Sequence, residues 1–162
     1  MNILLAIDDS SYSKAVIDSV AQRPWPPESN FKVISVAEPF HPEYAGWQTS
    51  YVPLALEAQK VMTQTTSRVV HEAVARLKGV FGHDWVVGEV IEGFIKDKIL
   101  ETAENWPADL IVVGSHGRKG FTKFLLGSVS EAIASHAHCS VEIIRSPQHM
   151  QERLNKQPDQ AS

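Results

Sequence analysis

The sequence predicts an α/β fold, an open parallel sheet with helices on both faces, and three observations predict it. Short apolar runs at residues 2–8, 31–37, 85–91, 109–114 and 140–145 read as buried strands. Segments with apolar residues recurring every three to four positions stand between them, so strands and helices alternate along the chain. The run Leu110-Ile111-Val112-Val113 passes into a glycine-rich stretch and then a Ser-x-x-Glu helix start, the strand, turn and helix order that a right-handed crossover repeats.

Each element follows from its residues. The first strand, 2–8, ends at Asp8-Asp9-Ser10-Ser11, which also caps the next helix. That helix buries Ala15, Val16, Ser19 and Val20 and stops before Pro24-Trp25-Pro26-Pro27, a connection that cannot stay helical. After the second strand, 31–37, residues 38–53 hold four aromatic residues and His41 among prolines. A stretch this long reads equally as a flap over a site or as an aromatic-anchored surface excursion. The spacing of Ala58, Val61, Met62, Thr65, Val69, Ala73 and Leu77 predicts one helix over 54–78, about 36 Å long, capped by Gly79. The third strand, 85–91, precedes a helix over 94–103 with Ile95, Ile99 and Ala103 on one face, ended by Pro107. Strand four is 109–114, the last helix 129–136 and strand five 140–145. Residues 1–146 form the domain, and 147–162 form a polar, aperiodic tail expected to fray.

A chain of 162 residues is one domain, able to bury about 70% of the surface its unfolded form exposes. Its 43% apolar and 21% charged residues are ordinary for a globular protein, and a net charge of -4 offers no general attraction to nucleic acid or to an anionic membrane. The single cysteine, Cys139, has no internal disulfide partner, and Met1-Asn2 leads straight into the first strand with no signal-peptide pattern. The expected setting is the cytoplasm, with no membrane and no nucleic-acid partner.

The chemistry concentrates after strand four. Gly114, Gly117 and Gly127-Ser128 make the spacing G-x2-G-x9-G-S. Glycines let backbone N–H groups approach an anion closely, and a helix beginning there adds unpaired donors and the positive end of its dipole. A Walker-type loop is absent, and the first turn, Asp-Asp-Ser-Ser, would repel a dinucleotide pyrophosphate. A phospho-receiver domain would match the Asp8-Asp9 pair, but strand three ends Ile91-Glu92-Gly93 without an acceptor aspartate, and strand five ends in Arg145 where that domain has lysine. His136, His138 and Cys139 straddle a helix end and fit packing and capping better than a metal site.

This glycine spacing resembles the nucleotide-binding signature of the universal stress protein family. Ile3-Leu4-Leu5-Ala6-Ile7-Asp8-Asp9-Ser10 is similar to the family's first strand with its terminal acid, and Val33-Ile34-Ser35-Val36-Ala37-Glu38-Pro39 to its second strand. Glu92-Gly93 and 108–114 also fall where that pattern has them, so the likeness runs from residue 2 to about residue 146. It implies a Rossmann-like sheet of the adenine nucleotide alpha hydrolase type, of order 3-2-1-4-5. Ligands of such sheets settle where the order reverses, which sets Asp8 beside Gly114.

The resemblance implies an ATP- or AMP-binding stress-response or regulatory protein. Its candidate ligand residues are Ala6, Ile7, Asp8, Val36, Val113, Gly114, His116, Gly117, Arg118, Gly127, Ser128, Val129 and Ser130. The Val36 main chain would meet the adenine edge. Asp8 would accept from a ribose hydroxyl or lie beside Mg²⁺ carried by the phosphates, or simply cap the next helix. Gly114, Gly117, Gly127, Ser128 and Val129 would offer amides, and Ser128 and Ser130 hydroxyls, while Ser128 and Glu131 also form a capping box. His116 reads as a phosphate contact or as a surface turn residue. Arg118 is favoured over Lys119 and Lys123 as a charged phosphate partner. No catalytic residue and no protein-held metal is assigned; slow Mg-dependent ATP hydrolysis and a nucleotide-free role through protein partners are the alternatives. Relatives pair through the last strand, which implies a homodimer using Val141 and Ile143, although Glu142 would then face its own mate.

Overall fold

The computed structural model describes residues 1–39, 52–117 and 126–145. The proposed flap over 38–53, apart from its ends, Arg118 with Lys119 and Lys123, and the tail over 147–162 lie outside the described residues.

The elements are β1 (Asn2–Ala6), α1 (Ser11–Ala21), β2 (Asn30–Ala37), α2 (Val52–Phe81), β3 (Val86–Glu92), α3 (Ile95–Asn105), β4 (Leu110–Gly114), α4 (Ser128–His136) and β5 (Ser140–Ile144). The five strands form one sheet of order β3-β2-β1-β4-β5. Every pairing is parallel, with Ala6 opposite Ile34 on one side of β1 and opposite Val113 on the other. The expected fold and strand order are therefore both present.

Strand alternation sorts the core into two layers. Ile3, Leu5, Phe31, Val33 and Val112 pack with Val16, Val20 and Leu77 on the side of α1 and α2. Leu4, Ile34, Val36, Ile111 and Val113 pack with Ile99, Ala103 and Ile133 on the side of α3 and α4. Because both faces of β1 and β4 are covered, these strands have no polar positions to alternate, which is why they read as continuous apolar runs.

Helix faces and ends depart from the expectation. In α1 the buried residues are Ser13, Val16, Ile17 and Val20, while Ala15 and Ser19 are only partly buried. In α2 the buried stripe is Thr66, Val70, Ala73 and Leu77, and Ala58 and Val61 are exposed. Gly79 sits inside the helix. The helix ends three residues later at Gly82, whose φ of 96° suits glycine and whose N–H donates to the Lys78 carbonyl at 3.0 Å. The extra turn carries Phe81 onto Phe31, with rings stacked 4.3 Å apart. At Gly88 in β3 a Cβ would come within 2.5 Å of Val74 and 2.7 Å of Val70, so glycine sets how closely α2 can lie on that strand.

Glu142 does not stand unpaired on β5. It receives both guanidinium nitrogens of Arg23, each at 2.9 Å, and the same guanidinium lies 4.8 Å from the centre of the Trp25 ring. The pair fastens the edge strand to the end of α1.

Candidate functional site

The strand order reverses at β1, and the chain leaves β1 and β4 side by side at their carboxyl ends. Past β1, the Ile7 N–H still donates to the Ile34 carbonyl at 3.0 Å, and Asp8 then turns over the start of α1. One carboxylate oxygen, Oδ1, accepts from the Ser10 N–H at 3.0 Å and from the Ser13 hydroxyl at 2.7 Å. The Ser13 hydroxyl in turn accepts from the Asp8 N–H at 2.7 Å. Ser10 is the N-cap of α1, its hydroxyl accepting from the Ser13 N–H. The sequence left open whether Asp8 caps α1 or faces the loop; its two oxygens divide these places. Oδ2 lies where Gly117 approaches, and a Cβ on Gly117 would stand 2.8 Å from it. Residues far apart in the chain thus meet with no room for a side chain between them.

The β4 end is built from backbone. A Cβ on Gly114 would collide with the Cβ of Tyr12 at 2.8 Å, so this glycine lets the first turn of α1 press against β4. Ser115 follows, its N–H donating to the Ile144 carbonyl and its own carbonyl accepting from the Gly127 N–H, both at 2.8 Å. Here the expectation changes: the Gly127 amide ties the two ends of the loop together and does not face the crevice. A Cβ on Gly127 would stand 3.2 Å from the Ser115 carbonyl oxygen and 3.3 Å from the His116 Cα, tighter than ordinary contact with backbone that cannot easily yield.

Gly127 is also the N-cap of α4 and makes no side-chain capping bond. The Ser128–Glu131 capping box is therefore not formed; Ser128 is the first helical residue and is exposed. The amides of Ser128, Val129 and Ser130 belong to a first turn whose N–H groups have no intrahelical acceptor. The Ser130 hydroxyl is turned inward. It is 2% exposed and donates to the carbonyls of Gly114 at 3.0 Å and Ser115 at 3.1 Å, so it braces the loop. Val129 packs against the second core layer.

The remaining candidates frame the crevice. Val36 and Val113 are buried by their side chains, Ile7 is 6% exposed and Ala6 is partly buried. Pairing between β1 and β2 closes at Ala6 and Ile34, yet β2 continues beside β3 to Ala37. Peptide groups alternate sides along a strand. The Ile34 carbonyl points toward β1, and the Gly93 N–H bonds the Ala37 carbonyl on the opposite side. The Val36 peptide edge therefore points toward the β1 side, past the last β1–β2 pair.

Sequence reasoning missed Tyr12 and Ser115. The Tyr12 ring sits 5.3 Å from the His116 ring at 43°, and the His116 Nδ1 lies 3.2 Å from the Ser115 hydroxyl. Tyr12 carries no local signal, because its place under the loop arises from β1–β4 pairing. Next to Asp8, on the α1 and α2 side, a cleft of about 470 Å³ opens between those helices, with Lys14, Arg68, Glu72 and Arg76 on its walls; its lining includes none of the described glycines.

Away from the crevice, the His136 Nδ1 donates to the Ala132 carbonyl at 2.9 Å, and Cys139 packs against the second core layer, where burial pushes its thiol pKa up. Among the described residues no three His, Cys, Asp or Glu side chains gather to hold a metal. Nor is any described helix long and apolar enough to cross a membrane.

The geometry can be set beside known proteins. Several solved structures share its fold. A universal stress protein from Lactobacillus plantarum superposes with a TM-score of 0.74 at 21% identity, over 90% of this chain and 97% of that one. A universal stress protein in complex with cAMP gives 0.62 at 21% identity, over 90% and 97%, and an Arabidopsis thaliana family protein with AMP bound gives 0.58 at 13%, over 99% and 97%. In sequence, the chain is 32% identical over 122 residues to universal stress protein MJ0531 of Methanocaldococcus jannaschii, covering 70% of this chain and 71% of that protein. It is 31% identical over 140 residues to universal stress protein A homolog 1 of Coxiella burnetii, covering 86% and 92%. The profile of the universal stress protein family matches residues 1–145, which takes in every strand and helix described above. With sequence, strand order and switch-point architecture in agreement, this chain belongs to the universal stress protein family.

Proposed function

We propose that this protein binds an adenine nucleotide, AMP or ATP, in the crevice between the carboxyl ends of β1 and β4, and acts as a regulatory, stress-response module of the cytoplasm. The observation that carries the reading is the meeting of Gly117 with Asp8, where a Cβ would stand 2.8 Å from the carboxylate. A ligand held beside that contact meets loop backbone and the acid of β1 together. The open first turn of α4 supplies amides and a positive dipole end to the phosphates. Asp8 addresses the ribose hydroxyls, or Mg²⁺ carried by the phosphates, and the Val36 peptide edge addresses the adenine. The solved family structures with AMP and with cAMP support the same ligand class.

Two expected donors drop out of this assignment: the Gly127 amide and the Ser130 hydroxyl shape the loop from within. Titration calorimetry with AMP, ATP, cAMP and GTP tests the reading. Saturable binding of adenine nucleotides with no heat from GTP is expected, and no binding of any of the four refutes it. Single-turnover incubation with Mg-ATP separates a binder, which leaves ATP intact, from a slow ATPase.

Assembly as a homodimer through β5 belongs to the same proposal. β5 is an edge of the sheet, and Arg23 neutralises Glu142, which removes the like-charge objection to pairing at Val141 and Ile143. Sedimentation showing only monomer at tens of micromolar refutes it.

A further inference from the structure

Asp8 stands on the turn between β1 and α1, and Ser13 stands five residues later in the first turn of α1. The two are joined twice. The Ser13 oxygen accepts from the Asp8 N–H at 2.7 Å, and the Ser13 hydroxyl donates to Asp8 Oδ1 at 2.7 Å. An amide N–H can only donate, so the oxygen meets it with a lone pair and commits its single proton to the carboxylate. Ser13 is 6% exposed, and its neighbours on the helix are fixed: Val16 and Ile17 are buried in the core, and Tyr12 presses against Gly114. A side chain on a turn otherwise chooses among staggered rotamers, whereas one tied to a packed helix keeps a single one. Both bonds concern Oδ1 and the main chain, so they act whatever Oδ2 meets.

We infer that Ser13 is a positioning residue: by clasping the Asp8 N–H and Oδ1 together it holds the carboxylate in the orientation that sets Oδ2 at the Gly117 contact, and it thereby governs how strongly the protein prefers a ligand with ribose hydroxyls over one without them. Ser10 provides the contrast within the same turn. It too bonds Oδ1, at 3.0 Å, but through its main-chain N–H, and its hydroxyl caps α1 by accepting from the Ser13 N–H. Removing the Ser10 hydroxyl weakens the start of the helix and leaves both Ser13 bonds to Asp8 in place. Removing the Ser13 hydroxyl spares the cap and takes away two of the bonds that orient Asp8. The clasp is a property of the ligand-free protein; its use in ribose selection rests on the nucleotide-binding reading.

Couplings from the Asp8 carboxyl carbon to its backbone nitrogen and carbonyl carbon, measured on ¹³C,¹⁵N-labelled, ligand-free protein, report the χ1 rotamer directly. Asp8→Asn identifies the Asp8 carboxyl signal by its loss. A single rotamer is expected in the native protein and in Ser10→Ala, with couplings averaged over rotamers in Ser13→Ala. Averaged couplings in the native protein, or an unchanged single rotamer in Ser13→Ala, overturn the inference. Affinities for AMP and for 2′,3′-dideoxy-AMP are then measured in the same proteins. The native protein should prefer AMP by about tenfold or more; Ser13→Ala should lose about three- to tenfold toward AMP and less than about twofold toward the dideoxy compound, while Ser10→Ala keeps the native preference. Equal binding of the two ligands by the native protein, or equal weakening of both in Ser13→Ala, overturns the selective role. Binding of neither by the native protein, alongside the expected couplings, sinks the nucleotide reading and leaves the clasp standing.

Discussion

Substituting Gly117 by valine separates folding from binding. A Cβ at this position would stand 2.8 Å from Asp8 Oδ2, about half an ångström inside ordinary carbon–oxygen contact. The carboxylate cannot retreat freely, because its other oxygen holds the Ser10 N–H and the Ser13 hydroxyl. Bonds to a charged acceptor are worth about 1.5–3 kcal/mol each, so displacing Asp8 costs about that much even when one bond survives. Gly117 is exposed, however, so in the free protein a side chain at this position can turn toward solvent at little cost. The cost therefore appears when a ligand must draw Asp8 and residue 117 together, and 2–3 kcal/mol corresponds to about a 30- to 150-fold loss of affinity, more once the valine methyls enter the phosphate space. Calorimetry with AMP reads the affinity, and a thermal melt reads the fold, with a shift of no more than about 3 °C expected. Wild-type affinity in this variant, with an unchanged melt, would refute the placement of the ligand at the Gly117–Asp8 contact.

Other substitutions probe neighbouring parts. Asp8→Ala should abolish binding and lower Tm by about 4–8 °C, since α1 loses an acceptor at its first turn worth about 2 kcal/mol; Asp8→Asn, which keeps a neutral acceptor, should fall by about half as much. Ser130→Ala should cost about 1–2 kcal/mol of stability in a urea titration, because two carbonyls lose a buried donor, with a several-fold loss of AMP affinity as the loop slackens. Gly88→Val should destabilise by about 1–3 kcal/mol through collision with Val70 and Val74, leave nucleotide affinity unchanged, and be partly relieved by adding Val74→Ala. Burial raises the Cys139 pKa, so its alkylation by iodoacetamide should set in at higher pH than that of a free thiol; an onset at or below the free-thiol value would contradict that direction.

The strands and their order were legible because the evidence of burial is direct in the residues: Leu110, Ile111, Val112 and Val113 face apolar layers on both sides, and only such runs tolerate that. Helix ends were less legible. Gly79 and Gly82 are both plausible stops three residues apart, and what chooses between them is Phe81 stacking on Phe31, a contact distant in sequence. In the crevice, residue types were readable and directions were not. The spacing of Gly114, Gly117 and Gly127 marks where side chains are forbidden, but nothing local says that the Gly127 amide turns back to Ser115 or that the Ser130 hydroxyl points into the protein. Ser128 followed by Glu131 looks like a cap because the pattern ignores the residue before it, and Gly127 takes that place.

The β1–β4 register also governs the order in which the molecule can be assembled. Ile3 lies opposite Leu110, and the Asn2 amide is bonded to Asp109 across 107 positions, whereas β1 meets β2 after a much shorter excursion. Closing the longer loop exacts the larger entropy penalty, so β1, β2 and the helix between them can pair well before β4 arrives. A chain arrested at that point would already possess its acidic corner and half of its apolar interior, yet have no opposing wall. On the proposed nucleotide-binding role, competence to capture a ligand is expected late in refolding, with the docking of the C-terminal third, and occupancy would then report on completion of the whole sheet.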